Sequence, residues 1–146
     1  MATGRDKTWR EFQEEVAALF NGIDGCTALV DQSVSCRFGT VQIDVLATFQ
    51  AAPMGDRGHG LDFPVVVECK FWKRKIPREK ILVLKAIVDE LGAAKGFLVT
   101  DVGVQKGVAD VVEACPNLEA VTFKELKERL RGPSDMFDYT GLDDPC

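Results

Sequence analysis

The segment Pro64-Val-Val-Val-Glu-Cys-Lys70 constrains the fold more than any other part of the chain. A run of valines without polar alternation forms a strand buried on both sides, and such a strand lies at the centre of a sheet covered by helices. The same run ends in Glu68 and Lys70, charges that a central strand holds only at a cost unless they have a use. Gly96-Phe-Leu-Val-Thr100 reads as another buried strand.

Around these strands the apolar spacing sets the remaining elements. From Thr8 to Phe20, Trp9, Phe12, Val16, Leu19 and Phe20 recur at helical spacing. Thr8 serves as the N-cap, Glu11 follows three residues on, and the helix stops near Asn21-Gly22. Thr27–Ser35 is β-prone, and Thr40–Phe49 alternates. That alternation puts Val41, Ile43, Val45, Ala47 and Phe49 on one face and Gln42, Asp44, Leu46 and Thr48 on the other, so Asp44 is expected to point away from the more apolar face. The glycine-rich stretch 50–63 reads as a long connection that closes an antiparallel hairpin with the valine strand. Pro77 suits the first turn of a helix running to Leu91, with Gly92 as its stop. Val104–Ala114 reads as a helix, Leu118–Phe123 as a last strand and Lys124–Arg131 as a last helix. Strands alternating with helices imply parallel pairing in this half. The expected fold is α/β, a mixed central sheet flanked by helices on both faces, with one domain over 1–131 and a polar, acidic tail or linker over 132–146.

A chain of 146 residues, 46% hydrophobic, can build such a core without metal or disulfide staples. No apolar run approaches the roughly 20 residues of a membrane span and Met1–Arg10 has no apolar signal core, which excludes a membrane partner and gives a cytoplasmic reading. Cysteines 26, 36, 69, 115 and 146 are odd in number, lack C-x-x-C spacing and have only His59 beside them, so they read as reduced packing thiols. The net charge of −5 taken alone disfavours a nucleic-acid partner, but Asp135, Asp138, Asp143 and Asp144 lie in the tail. Between Lys70 and Lys80 the balance reverses: Lys70, Lys73, Arg74, Lys75, Arg78 and Lys80 face only Glu79, a patch able to attract a phosphate backbone.

Glu68 and Lys70 are one residue apart on a strand, so both side chains share a face, while Cys69 turns to the other. A hairpin across 50–63 can set Asp44 directly opposite Glu68. Two carboxylates so close repel each other unless a cation joins them, and a few hard oxygen ligands suit Mg²⁺. Lys70 is then placed to orient a water or to stabilise charge developing on phosphoryl oxygens, which points to phosphodiester hydrolysis. The other reading of the three residues is a structural ion cluster of the kind found on many solvated faces.

With Asp44 in V-Q-I-D-V-L-A, then V-V-V-E-C-K, a helix, and G-A-A-K-G-F-L-V-T-D before a further helix, the chain resembles the Mrr-like restriction-endonuclease branch of the PD-(D/E)xK nucleases from about residue 8 to 123. The resemblance implies a restriction-endonuclease-like fold and a metal-dependent DNA endonuclease acting in defence against foreign or modified DNA, or in repair. It also implies Mg²⁺, with Mn²⁺ as substitute, held by Asp44, Glu68 and the Cys69 carbonyl, and Lys70 acting at the attacking water. That family commonly has a glutamate directly after the first-helix phenylalanine. Here Phe12 is followed by Gln13 and then Glu14 and Glu15, so Gln13 or Glu14 stands as the supplementary ligand. Lys73, Arg74, Lys75 and Arg78 are positioned to hold phosphates.

Cutting both strands needs two sites, which favours a homodimer, and the absence of a base-reading module favours recognition by a separate domain or subunit. Alternatives are a catalytically weak or inactive nucleic-acid-binding or assembly module of the same fold, or a nuclease for RNA, single strands or branched junctions. Trp72 reads as a packing anchor, His59 as incidental, and Thr100 and Asp101 as caps, with Gln105 and Lys106 near enough to a helix start to reach a phosphate backbone.

Overall fold

The computed structural model describes residues 8–37, 39–50 and 62–130. Helix α1 (Trp9–Asn21) opens with a capping box: the Glu11 N–H donates to Thr8 Oγ1 at 3.1 Å, and the Thr8 N–H donates to Glu11 Oε1 at 2.9 Å. Two otherwise orphaned amides are satisfied before the amphipathic face begins. Strands β1 (Cys26–Cys36), β2 (Gly39–Gln50) and β3 (Asp62–Lys70) pair antiparallel in sequence order. Helices α2 (Arg78–Leu91) and α3 (Lys106–Ala114) then carry the chain across to β4 (Lys95–Thr100) and β5 (Leu118–Thr122), which add in parallel. The order β1-β2-β3-β4-β5 is the expected mixed sheet, with β3 at its centre.

Each face has its own core. On one, Phe12, Val16 and Phe20 of α1 pack on Val45, Ala47, Val65, Val67 and Val99, joined by Leu126 of a last helix, α4 (123–130). On the other, Ile81, Leu84 and Val88 of α2 and Val108 of α3 cover Ile43, Val66, Leu98 and Leu118. The three valines of β3 are thus divided between two layers, which is why none could be polar. Gly96 lets α2 come down on β4, since a Cβ there would lie 2.6 Å from Val88 Cγ2. Cys26, Cys36, Cys69 and Cys115 are free thiols, and among the described residues no helix is long and apolar enough to cross a membrane.

Four local expectations are corrected. Phe123 opens α4 instead of closing β5, because Thr122 and Glu125 form a second capping box, with backbone-to-side-chain hydrogen bonds of 2.9 and 3.1 Å. Val104 is extended, not helical, since it pairs with Ile76 in an isolated parallel bridge, and α3 starts two residues later with Gln105 as N-cap. Thr100 accordingly caps only the turn after β4, where its hydroxyl accepts the Val102 N–H at 3.1 Å. Finally, the apolar residues of β2 do not share a face: Val45 and Ala47 lie under α1, whereas Val41 and Ile43 pack with Leu46 on the α2 side. Asp44, placed at the change, is buried with both its neighbours.

Candidate active site

The β2–β3 ladder ends at the pair Val45↔Val67, one rung before Asp44 and Glu68 would oppose each other. Beyond it the Asp44 carboxylate replaces a strand partner, and the Cys69 N–H donates to Asp44 Oδ2 at 2.8 Å. The Cys69 carbonyl accepts from Trp9 Nε1 of α1 at 3.3 Å. The N–H and the carbonyl of Cys69 are therefore each held by a side chain instead of a neighbouring strand. Lys70 Nζ donates to Glu68 Oε2 at 2.8 Å, as the one-residue spacing requires, and both side chains are 18% exposed.

Asp44 is only 9% exposed. Burial, and after it the negative charge of Glu68, push its carboxyl up to about 6; the Cys69 N–H and the Lys70 ammonium pull it only partly back. An acid held in this way is relieved by a cation. Gln13, on the face of α1 turned toward the sheet, is fully buried, and neither Nε2 nor Oε1 makes a hydrogen bond. Its amide nevertheless lies near enough to Asp44 to favour the anion weakly. An orphaned buried amide is costly, and here it lies beside the Asp44 carboxylate. The residues expected to hold a metal, Asp44, Glu68, the Cys69 carbonyl and Gln13, would offer only oxygen donors, a chemistry that suits Mg²⁺ or Mn²⁺ and not a thiolate- or imidazole-bound metal. Among the described residues no group of three or more His, Cys, Asp or Glu could hold a metal ion, so a cation here would have at most two charged ligands, Asp44 and Glu68. Glu14 is exposed on α1, away from the side that buries Gln13. The Cys69 thiol packs in the α1-side core, and burial pushes its pKa well above the usual thiol range, so it is no nucleophile.

Past the site, Lys73, Arg74 and Lys75 are exposed in the connection to α2, and Arg78 is exposed at the helix start. Trp72 packs against the α2-side core as expected. Its ring also gathers cations, with Arg74 Cζ at 5.1 Å, Lys80 Nζ at 5.6 Å and Lys70 Nζ at 6.0 Å from the centroid. The connection is pinned to the approach of α3, where the Ile76 N–H donates to the Gly103 carbonyl at 3.2 Å and the Gln105 N–H donates to the Ile76 carbonyl at 3.0 Å. The starts of α2 and α3 thus sit together near the end of β3, and neither N-cap side chain takes up their first amides. Gln105 is exposed there, and Lys106 lies 3.3 Å from the Asp110 carboxylate. His59 and the tail 132–146 lie outside the described residues. Trp9 as the partner of the Cys69 carbonyl had no signal in the sequence beyond its place in an amphipathic helix.

A family model, Mrr_cat, described as restriction endonuclease, matches residues 5–130. Among solved structures, a protein of unknown function, AF1548, is similar with a TM-score of 0.64 at 14% identity, over 86% of this chain and 67% of that one. The DNA modification-dependent restriction endonuclease AspBHI is similar with a TM-score of 0.56 at 16% identity, over 84% of this chain and 31% of that one. The MspJI restriction endonuclease, solved in complex with a 27-mer oligonucleotide, is similar with a TM-score of 0.54 at 13% identity, over 91% of this chain and 30% of that one. The chain therefore spans about a third of the length of either restriction enzyme, and at these identities the likeness is one of fold. No curated protein matches the sequence.

Proposed function

This chain belongs to the Mrr-type restriction endonuclease family, and from that premise we propose that it is a divalent-cation-dependent DNA endonuclease that hydrolyses phosphodiester bonds. The observation that carries the reading is the convergence of Asp44, Glu68 and Lys70 at the end of β3, with Asp44 desolvated and its charge only partly offset. Asp44 and Glu68 would hold the cation, with the Cys69 carbonyl and the Gln13 amide oxygen as neutral donors. A bound Mg²⁺ or Mn²⁺ supplies positive charge that polarises a phosphoryl oxygen and acidifies a water. The chain does the rest. Glu68 fixes the direction of the Lys70 ammonium, which can then orient the water or meet the charge that develops on the phosphoryl oxygens. Lys73, Arg74, Lys75 and Arg78 would hold flanking phosphates, drawing DNA to a chain whose overall charge is negative.

MspJI was captured with an oligonucleotide and AspBHI depends on DNA modification. Both chains are far longer than this one, which fits an arrangement in which target selection, modified bases included, comes from a separate domain or subunit, and a second copy supplies the second cut. A role in defence against foreign or modified DNA, or in repair, follows from that chemistry. Incubation of supercoiled plasmid with Mg²⁺ or Mn²⁺ is the test: wild type should nick it, while Asp44→Ala and metal-free wild type should not. Gln13 favours one other reading, because a neutral amide stands where the family resemblance leads one to look for a carboxylate. On that reading the domain binds nucleic acid and cuts weakly or not at all, and no nicking by wild type under either cation would select it.

A further inference from the structure

Asp31 is the only non-glycine residue with a positive φ among those described, at +53°, and it sits in the middle of the eleven-residue strand β1. Apart from glycine, Asp and Asn are the residues that tolerate this left-handed conformation. The β1–β2 register passes through the spot without change, with Val30↔Val45 before it and Gln32↔Ile43 after it, so no residue is inserted and only the rung of Asp31 and Asp44 is unpaired. The faces nevertheless exchange across that rung. Before it, Ala28, Val30, Val45 and Ala47 pack under α1. After it, Val34, Val41 and Ile43 pack on the α2 side. Strict alternation would have kept each of these rows on one face. The hairpin rolls over at a single rung, and the residue of β2 caught at the roll is Asp44, whose carboxylate passes between the two layers to the Cys69 N–H.

We propose that Asp31 is a positioning residue: its left-handed backbone produces the roll that aims the Asp44 carboxylate at the end of β3, a role in cation binding that rests on the function proposed above. The side chain reinforces the arrangement. Gln42 Nε2 donates to Asp31 Oδ1 at 2.6 Å, and Arg10 Nη2 lies 3.7 Å from Oδ2, so the kink is tied to β2 two residues from Asp44 and to α1 one turn from Gln13. With side chains 46% and 53% exposed, the Asp31–Arg10 pair is weak, and the backbone conformation carries the effect.

The test compares Asp31→Gly and Asp31→Asn, which accept the conformation, with Asp31→Ala and Asp31→Val, which resist it increasingly. Three quantities are measured on the full chain: hydrogen exchange at the Cys69 amide, which reports its bond to Asp44 without any metal, Mn²⁺ affinity by calorimetry, and thermal melting. Gly and Asn should keep amide protection and affinity within about twofold of wild type, whereas Val should lose about tenfold or more in each while still folding, as a displaced supporting shell does. Should Val melt too early to assay, Ala shows the same ordering with a smaller loss. Unchanged Cys69 protection in Ala and Val overturns the proposal, as does an equal loss in Gly, which would assign the effect to the carboxylate. Wild type that takes up no Mn²⁺, together with Cys69 deprotected in Val, would sink the cation site and leave the positioning of Asp44 standing.

Discussion

Asp44 and Glu119 are two carboxylates on one sheet with opposite circumstances. Glu119 on β5 bonds to the Arg129 guanidinium and lies beside the Lys95 ammonium, and these cations, Arg129 foremost, bring its carboxyl down to about 2. Asp44 on β2 is more deeply buried and faces another carboxylate, and the Lys70 ammonium, bonded to Glu68, offsets this only in part, so its carboxyl rises to about 6. The first acid is neutralised within the fold, while the second is offset only in part by the Cys69 N–H and the Lys70 charge, a circumstance that the proposed cation would relieve. That contrast separates a structural ion cluster from a site better than proximity does, since both contain clustered acidic and basic groups.

The contrast can be broken most sharply by activity. Asp44→Ala and Glu68→Ala should each lower plasmid cleavage by about 10³-fold or more, roughly 4 kcal/mol of transition-state stabilisation, whereas Glu119→Ala should leave it within a few-fold. Lys70→Met should reduce cleavage by about 10²-fold or more with Mn²⁺ affinity retained, if the ammonium acts on the reacting groups as proposed. Lys70→Met that instead unfolds the protein, seen in thermal melting, would return the cluster to a structural role.

Stability against pH sharpens the same comparison. The folded carboxyl of Asp44 is raised from 3.8 to about 6, so the folded state holds that proton more tightly than the unfolded chain. Its contribution is greatest below the ordinary value and is lost as pH rises through about 6, by up to roughly 3 kcal/mol in the absence of cation. Denaturant titrations should show this loss in wild type, its absence in Asp44→Asn, and its reversal by Mg²⁺. Arg74→Ala should weaken DNA binding a few-fold for every sequence and reduce the salt slope by about one. Glu119 has the opposite sign and the smallest effect. Lowered from 4.5 to about 2, its stabilisation is present above the ordinary value and fades as pH falls toward about 2. Solvent screening holds it to about 1 kcal/mol, and Glu119→Gln should flatten that acid limb.

The run from Val65 to Lys70 was legible from sequence because burial on both faces leaves few arrangements for consecutive valines, and the spacing of Glu68 and Lys70 sets a shared face without tertiary information. Thr8 and Glu11 announced α1 through chemistry local to one turn, and Gln13 fell on the buried side of that helix as its spacing from Val16 implied. The roll at Asp44 was not legible. Val41, Ile43, Val45, Ala47 and Phe49 satisfy one face in perfect alternation, yet they are divided between two cores at the rung where Asp31 of the neighbouring strand has its positive φ, an angle that side-chain periodicity does not carry. Val104 and Phe123 were misplaced for a related reason. A long-range bridge to Ile76 and a capping contact from Glu125 decide those element ends, and periodicity carries neither.

The most direct test of the central claim is Mn²⁺ binding, measured by calorimetry without DNA at about pH 7.5, where Asp44 is ionised. Wild type, Asp44→Asn and Glu119→Gln would be compared. The expected result is binding by wild type and Glu119→Gln and its loss in Asp44→Asn. Binding of equal strength by all three would contradict a cation site built on Asp44.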